Sequence, residues 1–87
     1  MMGRAIHHDG LEIVIQVRQL QDLFGHLQPH TYVCSAYAPS KGRAFVPQGA
    51  RAPVFFEAGS SVDDTITAIA NGIRKGRFTP WKQSGVM

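Results

Sequence analysis

The sequence has little of what secreted, membrane or metal-dependent proteins require. Its only cysteine is Cys34, so no intramolecular disulfide can form, and we expect a reducing, cytoplasmic location. Uninterrupted apolar runs are only a few residues long, such as Ile13-Val14-Ile15, and no apolar stretch follows the N-terminal Met1-Met2-Gly3-Arg4. We therefore expect neither a secretory signal nor a membrane span.

Charge is also scarce. Charged residues make up 17% of the chain and the net charge is +3, against roughly 25% charged residues in an average domain. This balance permits nucleic acid as a partner without requiring it, because dedicated binders concentrate basic residues in a stripe. With 87 residues, of which 44% are hydrophobic, the chain is predicted to be one folded domain over 1–87, flexible at 1–10 and 83–87. Its modest core leaves a homodimer open as an alternative to a monomer.

Recognisable catalytic motifs are missing. There is no Gly-x-Ser-x-Gly elbow and no phosphate-binding glycine loop. The paired carboxylates Asp63-Asp64 follow Ser61 and are accounted for by the start of a helix, where the helix dipole favours negative charge. The same two carboxylates would repel an anion from that helix start. We therefore expect no enzymatic activity, no catalytic residue and no cofactor.

One spacing resembles a metal site. Asp22, His26, His30 and Cys34 are each four residues apart, which would align them on an unbroken helix. Pro29 excludes an unbroken helix, and the spacing matches no standard zinc motif. We therefore predict no metal. Cys34 and a histidine could form a catalytic pair, but no Asn or Asp is placed to orient the imidazole. We therefore expect Cys34 to pack in the core.

The clearest local element is a helix predicted over 62–75. Ser61 is suited to cap its start, and apolar residues recur through it at helical spacing. Arg74 and Lys75 complement its C-terminal dipole, and Gly76 is suited to end it in a left-handed conformation. Gly72 lies inside the helix and weakens it by about 1 kcal/mol relative to alanine.

The segment 11–27 is ambiguous. Alternation over 11–16 predicts a strand, which could pair with 4–8 through the turn dipeptide Asp9-Gly10. Apolar residues over 17–27 follow a helical face instead, so we favour a strand at 11–16 followed by a helix at 17–27. One continuous helix is the alternative.

Three further strands are predicted in the middle of the chain, over 30–38, 43–46 and 52–58, with a turn at 39–42. The predicted fold class is α+β: a small antiparallel sheet of three to four strands with two helices packed on one face, in the order (β)-α-β-β-β-α. The tail from Arg77 has no regular period, and Phe78 and Trp81 could pack it back onto the core.

The predicted order α-β-β-β-α resembles that of double-stranded-RNA-binding domains. Those domains open their last helix with a Lys-Lys-x-Ala-Lys stretch, where this chain has the acidic Ser61-Val62-Asp63-Asp64-Thr65. The glycine followed by an amphipathic helix is similar to the HicB-like antitoxin fold. Neither similarity extends beyond these patterns, so we assign the chain to no family and infer no function from fold.

The remaining feature is a group of cations and aromatics near the C-terminus, which could contact phosphates, stack on bases or anchor a protein interface. The alternative is that the cations complement the helix C-terminus while the aromatics cover the core. We predict a non-enzymatic binding or regulatory protein, with a protein as the favoured partner and RNA or DNA as the alternative. Tyr32 and Tyr37 are further candidate anchors. The candidate partner-binding residues are Lys41, Arg43, Arg74, Lys75, Arg77, Phe78, Trp81 and Lys82.

Overall fold

The computed structural model describes residues 2–82. Within them the chain forms six strands and one α-helix, with a short 3-10 turn at Pro39–Lys41. The elements are β1 (Met2–His8), β2 (Leu11–Gln21), β3 (Leu27–Ala38), β4 (Arg43–Pro47), β5 (Val54–Ala58), α1 (Val62–Arg74) and β6 (Phe78–Pro80).

All strands pair antiparallel in a single sheet. The order is β1-β2-β3-β4-β6, and β5 also pairs with β3. The twelve-residue strand β3 pairs with two strands along one of its edges. Residues 31–35 pair with β5, and residues 36–38 pair with β4. β2 and β3 are thus the long central strands on which the other elements are arranged.

One face of this sheet is covered by α1. The inward residues alternate along the strands, as in Ile13, Ile15 and Val17 of β2, and all three are buried. Ile66, Ile69 and other apolar residues of α1 pack onto them. The core therefore lies between one sheet face and one helix, and the opposite sheet face has no helix against it within residues 2–82.

The predicted fold class was wrong. The sheet has six strands instead of three or four, and the described residues hold a single helix instead of two. The error lies at 17–27, where the predicted helix is replaced by the second half of β2, a turn and the start of β3. Of the apolar residues that suggested a helical face, Val17 is buried, whereas Leu23 and Phe24 are exposed. The order expected for a double-stranded-RNA-binding domain is accordingly absent from residues 2–82.

Local turn and cap predictions were confirmed. β1 and β2 form the predicted hairpin, and both Asp9 (φ 53°) and Gly10 (φ 74°) take the left-handed conformation that a two-residue turn of this kind needs. The Ser61 side chain accepts a hydrogen bond from the Asp64 backbone N–H at 3.0 Å, and Gly76 ends the helix with φ 75°.

A strand lies near each end of the range 2–82. Residues 2–8, placed in the segment expected to be flexible, form β1. Phe78–Pro80 forms β6 beside β4, and Phe78 and Trp81 pack against the core, as the packing alternative predicted. The tail prediction for 83–87 lies outside the described residues.

Candidate functional site

A tight turn joins β2 to β3 at residues 22–26. The Asp22 carboxylate accepts hydrogen bonds from the backbone N–H groups of Phe24 (2.8 Å) and His26 (2.9 Å). Two backbone hydrogen bonds close the same turn, from Asp22 N–H to the His26 carbonyl and from Gly25 N–H to the Asp22 carbonyl. Gly25 supplies the positive φ of 82° that the turn requires. The turn is therefore held by its own backbone and by one carboxylate.

This ordered turn carries the most exposed large hydrophobic side chains of the described residues. Leu23 is 99% exposed and Phe24 is 83% exposed, while Leu27 just after the turn is 55% exposed. Exposed apolar residues are ordinary when scattered singly, but clustered ones mark interaction sites. Two large hydrophobic residues on the turn and a third directly after it are such a cluster.

An apolar groove lies next to the turn. It has a volume of about 400 Å³ and is lined by Met2, Val17, Leu27 and Val62, with Arg18, Gln19 and Gln21 at its polar positions. Met2 is half exposed, at 50%. We call the turn 22–26 together with this groove the hairpin end of the molecule. Residues from β1, β2, β3 and α1 meet there.

The hairpin end is acidic. Four of the six acidic residues are at this end of the sheet, because α1 begins there and β5 ends there. Two cations accompany them: Arg4 approaches Asp63 at 3.7 Å, and Arg18 lines the groove. The acidic residues are Asp22, Glu57, Asp63 and Asp64.

The predicted partner-binding cations lie at the opposite end of the sheet, which we call the basic end. Lys41 and Arg43 follow β3, Arg74, Lys75 and Arg77 surround the end of α1, and Lys82 lies near Arg43 because the Trp81 N–H bonds to the Ala44 carbonyl. None of these cations forms an ion pair with any residue of the described range. The structure thus brings together cations that are distant in sequence.

A pocket of about 430 Å³ opens at the basic end. Its walls are Leu11, Ile13, Phe45, Ile73 and Phe78, and His8, Asp9 and Lys41 supply polar groups. The two aromatic residues predicted to bind a partner, Phe78 and Trp81, are half-buried against the core. The Phe78 ring packs edge-on against the Phe55 ring, with 5.6 Å between the ring centroids. These two aromatic residues therefore contribute to the core.

The two candidate tyrosines point to opposite faces of the sheet. Tyr32 is buried in the core at 5% exposure, so it cannot anchor a partner. Tyr37 is 45% exposed and lies on the face that α1 does not cover.

Cys34 lies in the core, as predicted. It is 1% exposed, and its thiol donates to the Tyr32 carbonyl at 3.7 Å. Burial, followed by the nearby Glu57 carboxylate, raises the pKa of the Cys34 thiol to about 12. A thiol held protonated in this way is a poor nucleophile.

The four-residue spacing that suggested a metal does not produce a cluster. Asp22 and His26 meet at 3.2 Å in the exposed turn, His30 Nδ1 lies 3.2 Å from the Gly59 carbonyl, and Cys34 is in the core. Across residues 2–82, no three His, Cys, Asp or Glu side chains are grouped closely enough to hold a metal ion.

Sequence reasoning missed the exposed turn residues Leu23 and Phe24. Their spacing from Val17 and Leu20 imitates a helical face, which assigned them to a core. The available contrary signal was Asp22 followed by Gly25, a pairing typical of turns.

Comparisons with known protein families, curated proteins and solved structures found no match to this chain. Among the described residues, no helix has both the length and the apolar character needed to cross a membrane.

Proposed function

We propose that this chain is a non-enzymatic binding protein that docks on another protein through its hairpin end. The observation that carries the proposal is the exposure of Leu23 and Phe24 on a turn fixed by its own hydrogen bonds. A folded chain that leaves two large apolar side chains in water forgoes their burial, worth about 1.5–3 kcal/mol each. A partner that buries them recovers this free energy.

Rigidity makes the turn suitable for binding. Ordering a loop or a long side chain on association costs about 0.5–1.5 kcal/mol for each group immobilised. The two hydrogen bonds to the Asp22 carboxylate already fix the backbone around Phe24, so little further ordering is required. Phe24 then acts as the anchor, and the groove lined by Met2, Leu27 and Val62 accepts an apolar side chain from the partner.

The surrounding charge indicates the chemistry of the partner. Asp22, Glu57, Asp63 and Asp64 repel phosphates, so neither nucleic acid nor an anionic lipid surface suits this end. The complementary surface is an apolar pocket rimmed by lysine and arginine on a protein. The cytoplasmic location expected from the single reduced cysteine stays part of this proposal.

The proposal is tested by photo-crosslinking in cells. A benzophenone amino acid replaces Phe24, and the same residue replaces Arg77 as the matched control at the basic end. We expect Phe24 to give one dominant protein adduct that Arg77 does not give. Excess unlabelled wild type should suppress the adduct, and a Leu23→Ser/Phe24→Ser competitor should fail to do so. No adduct, or an adduct that both competitors suppress equally, contradicts the proposal.

A second candidate function is nucleic-acid binding through the basic end. The observation that favours it is the gathering of six cations at this end, without ion-pair partners among residues 2–82. Because phosphate contacts release counterions, such binding should weaken steeply as salt is raised. The half-burial of Phe78 and Trp81 leaves little aromatic surface for base stacking, so this function ranks second.

Its test is a gel-shift titration with RNA and DNA at low and moderate salt. We expect Arg74→Glu/Lys75→Glu to abolish any salt-sensitive shift, while Leu23→Ser/Phe24→Ser leaves it unchanged. Absence of a shift at the lowest salt eliminates this candidate and leaves the hairpin end as the binding surface.

A further inference from the structure

The sheet face opposite α1, which we call the open face, carries exposed apolar side chains and no charged side chain at its centre. Tyr37 is 45%, Val54 50% and Phe56 65% exposed. These side chains alternate with the core residues along their strands, so they project to the other side of the sheet. The residues of the open face are Val14, Gln16, Val33, Ser35, Tyr37, Ala44, Val54 and Phe56.

We infer that a second copy of this chain covers the open face, packed sheet against sheet with the strands of the two copies running in opposite directions. This surface shares only Arg18 with the hairpin end and none of its apolar residues, so the inference goes beyond the proposed function. Three features support it: the layer structure of the molecule, the size of the face and the placement of its charges.

The layer structure is incomplete in one copy. The shortest extent of the molecule is 20 Å, which matches one sheet layer and one helix layer of about 10 Å each. A sheet with apolar residues on both faces requires cover on both, and α1 supplies only one. Two copies joined through their open faces form four layers, helix-sheet-sheet-helix, with every apolar sheet face covered.

The broad side of the molecule is large enough for the interface of a stable dimer. The two longer extents are 36 and 34 Å, and a standard interface needs about 800 Å² from each partner. The centre of the face carries no charged side chain, as expected for the desolvated core of an interface. Polar Gln16 and Ser35 pair across β2 and β3 in this central region, next to a shallow apolar depression of about 410 Å³.

Charge placement selects a second copy and its orientation. Glu12 and Arg18 are exposed on the open-face side of β2, one on each side of Val14 and Gln16, about 20 Å apart along the strand. A two-fold axis that lies between the two sheets, perpendicular to β2 and level with Ile15, reverses the strand direction and sets Glu12 of one copy over Arg18 of the other, twice. The same rotation places the acidic hairpin end of each copy at the same side of the dimer as the basic end of the other. Parallel strands would instead place like charges together, which is costly.

The mass in solution tests the inference. Analytical ultracentrifugation over a concentration series should show wild type shifting from the 9.5 kDa monomer to a dimer. We expect Phe56→Asp and Val54→Asp to remain monomeric, because each buries a carboxylate in the apolar centre. Ala68→Asp, on the exposed surface of α1, is the matched control and should dimerise like wild type. A wild type that stays monomeric at about 1 mM, or a Phe56→Asp dimer, overturns the inference.

Charge exchange tests the orientation. Glu12→Arg and Arg18→Glu should each weaken dimerisation by roughly tenfold or more, and the double variant should restore it, because the two pairs are then re-formed with reversed sign. Both substituted residues are exposed, and circular dichroism checks that each variant is folded. Failure of the double variant to recover overturns the strand-reversed arrangement. Leu23→Ser/Phe24→Ser should leave the dimer unchanged, which separates this inference from the proposed function.

Discussion

The two ends of the sheet use similar residues in opposite ways. At the hairpin end Phe24 is 83% exposed on a turn that is held by the Asp22 carboxylate. At the basic end Phe78 is half-buried between Phe55 and Gly72, and the surrounding charges are cations. An aromatic residue close to charged neighbours therefore has a structural role at one end and is free for binding at the other. The packing of the aromatic ring, and not the types of residue near it, decides between these two roles.

The largest expected effect separates the two phenylalanines. Phe78→Ala removes a ring that meets Phe55 at 5.6 Å and closes the sheet end below α1, so we expect it to lower the free energy of unfolding by about 3 kcal/mol. Phe24→Ala should change it by less than about 0.5 kcal/mol. Urea denaturation with a common slope measures both. If the two variants lose the same free energy of unfolding, Phe24 and Phe78 do not differ in their contribution to the packed core.

A smaller effect is expected at Gly72. A Cβ there would lie 2.9 Å from the Phe78 ring, too close for the ring to stay in place. Overpacking of this kind costs about 1–3 kcal/mol, against about 1 kcal/mol gained from helix propensity. We therefore expect Gly72→Ala to destabilise the protein by about 1 kcal/mol, whereas Asn71→Ala, at the neighbouring exposed position, should not.

A double-mutant cycle checks the cause. In a Phe78→Ala background the ring is gone, and Gly72→Ala should become neutral or stabilising. If the cost of Gly72→Ala is the same in both backgrounds, contact with Phe78 is not its origin.

The buried Cys34 thiol makes the stability of the core between the two ends depend on pH. Its pKa of about 12 in the folded chain exceeds the ordinary 9.0, so the folded state holds the proton that the unfolded state loses above about pH 9. The free energy of unfolding should therefore fall as pH rises from about 9 towards 12. Below about pH 9 this thiol should not contribute to the pH dependence of the free energy of unfolding. Cys34→Ala should remove this part of the pH dependence. A thiol reagent at pH 8 should react only as the protein unfolds, and rapid reaction would contradict the burial.

The smallest effect on stability is expected for the cations of the basic end. Arg74→Glu/Lys75→Glu reverses charges that favour the negative end of α1, at a cost of about 0.3–1 kcal/mol for each residue. The variant should retain the Phe24 crosslink. If the crosslink is lost while the variant stays folded, the protein-binding surface is at the basic end and not at the hairpin end.

The elements that could be predicted from sequence are those set by neighbouring residues. Ser61 and Gly76 bound α1 because caps act over one turn, and Asp9-Gly10 closes the first hairpin because its two positive φ angles are a local requirement. The buried thiol of Cys34 was also foreseen.

The parts that could not be predicted depend on contacts distant in sequence. The division of β3 between β4 and β5 arises from pairing with residues 43–58, which no local pattern encodes. Val14 broke the alternation of β2 because it lies on the open face, where apolar residues are also present. The apolar spacing of 17–27 favoured a helix because Leu23 and Phe24, which are exposed on a turn, continue a helical period, and the turn was therefore missed.

The central claim is that the hairpin end, and not the basic end, contacts a protein partner. Backbone amide chemical shifts recorded during titration with the protein captured by the Phe24 crosslinker test it most directly. The account predicts the largest changes at Met2, residues 18–28 and Val62, with small changes at residues 41–43 and 74–82. The largest changes at 41–43 and 74–82, or none at the turn, would contradict it.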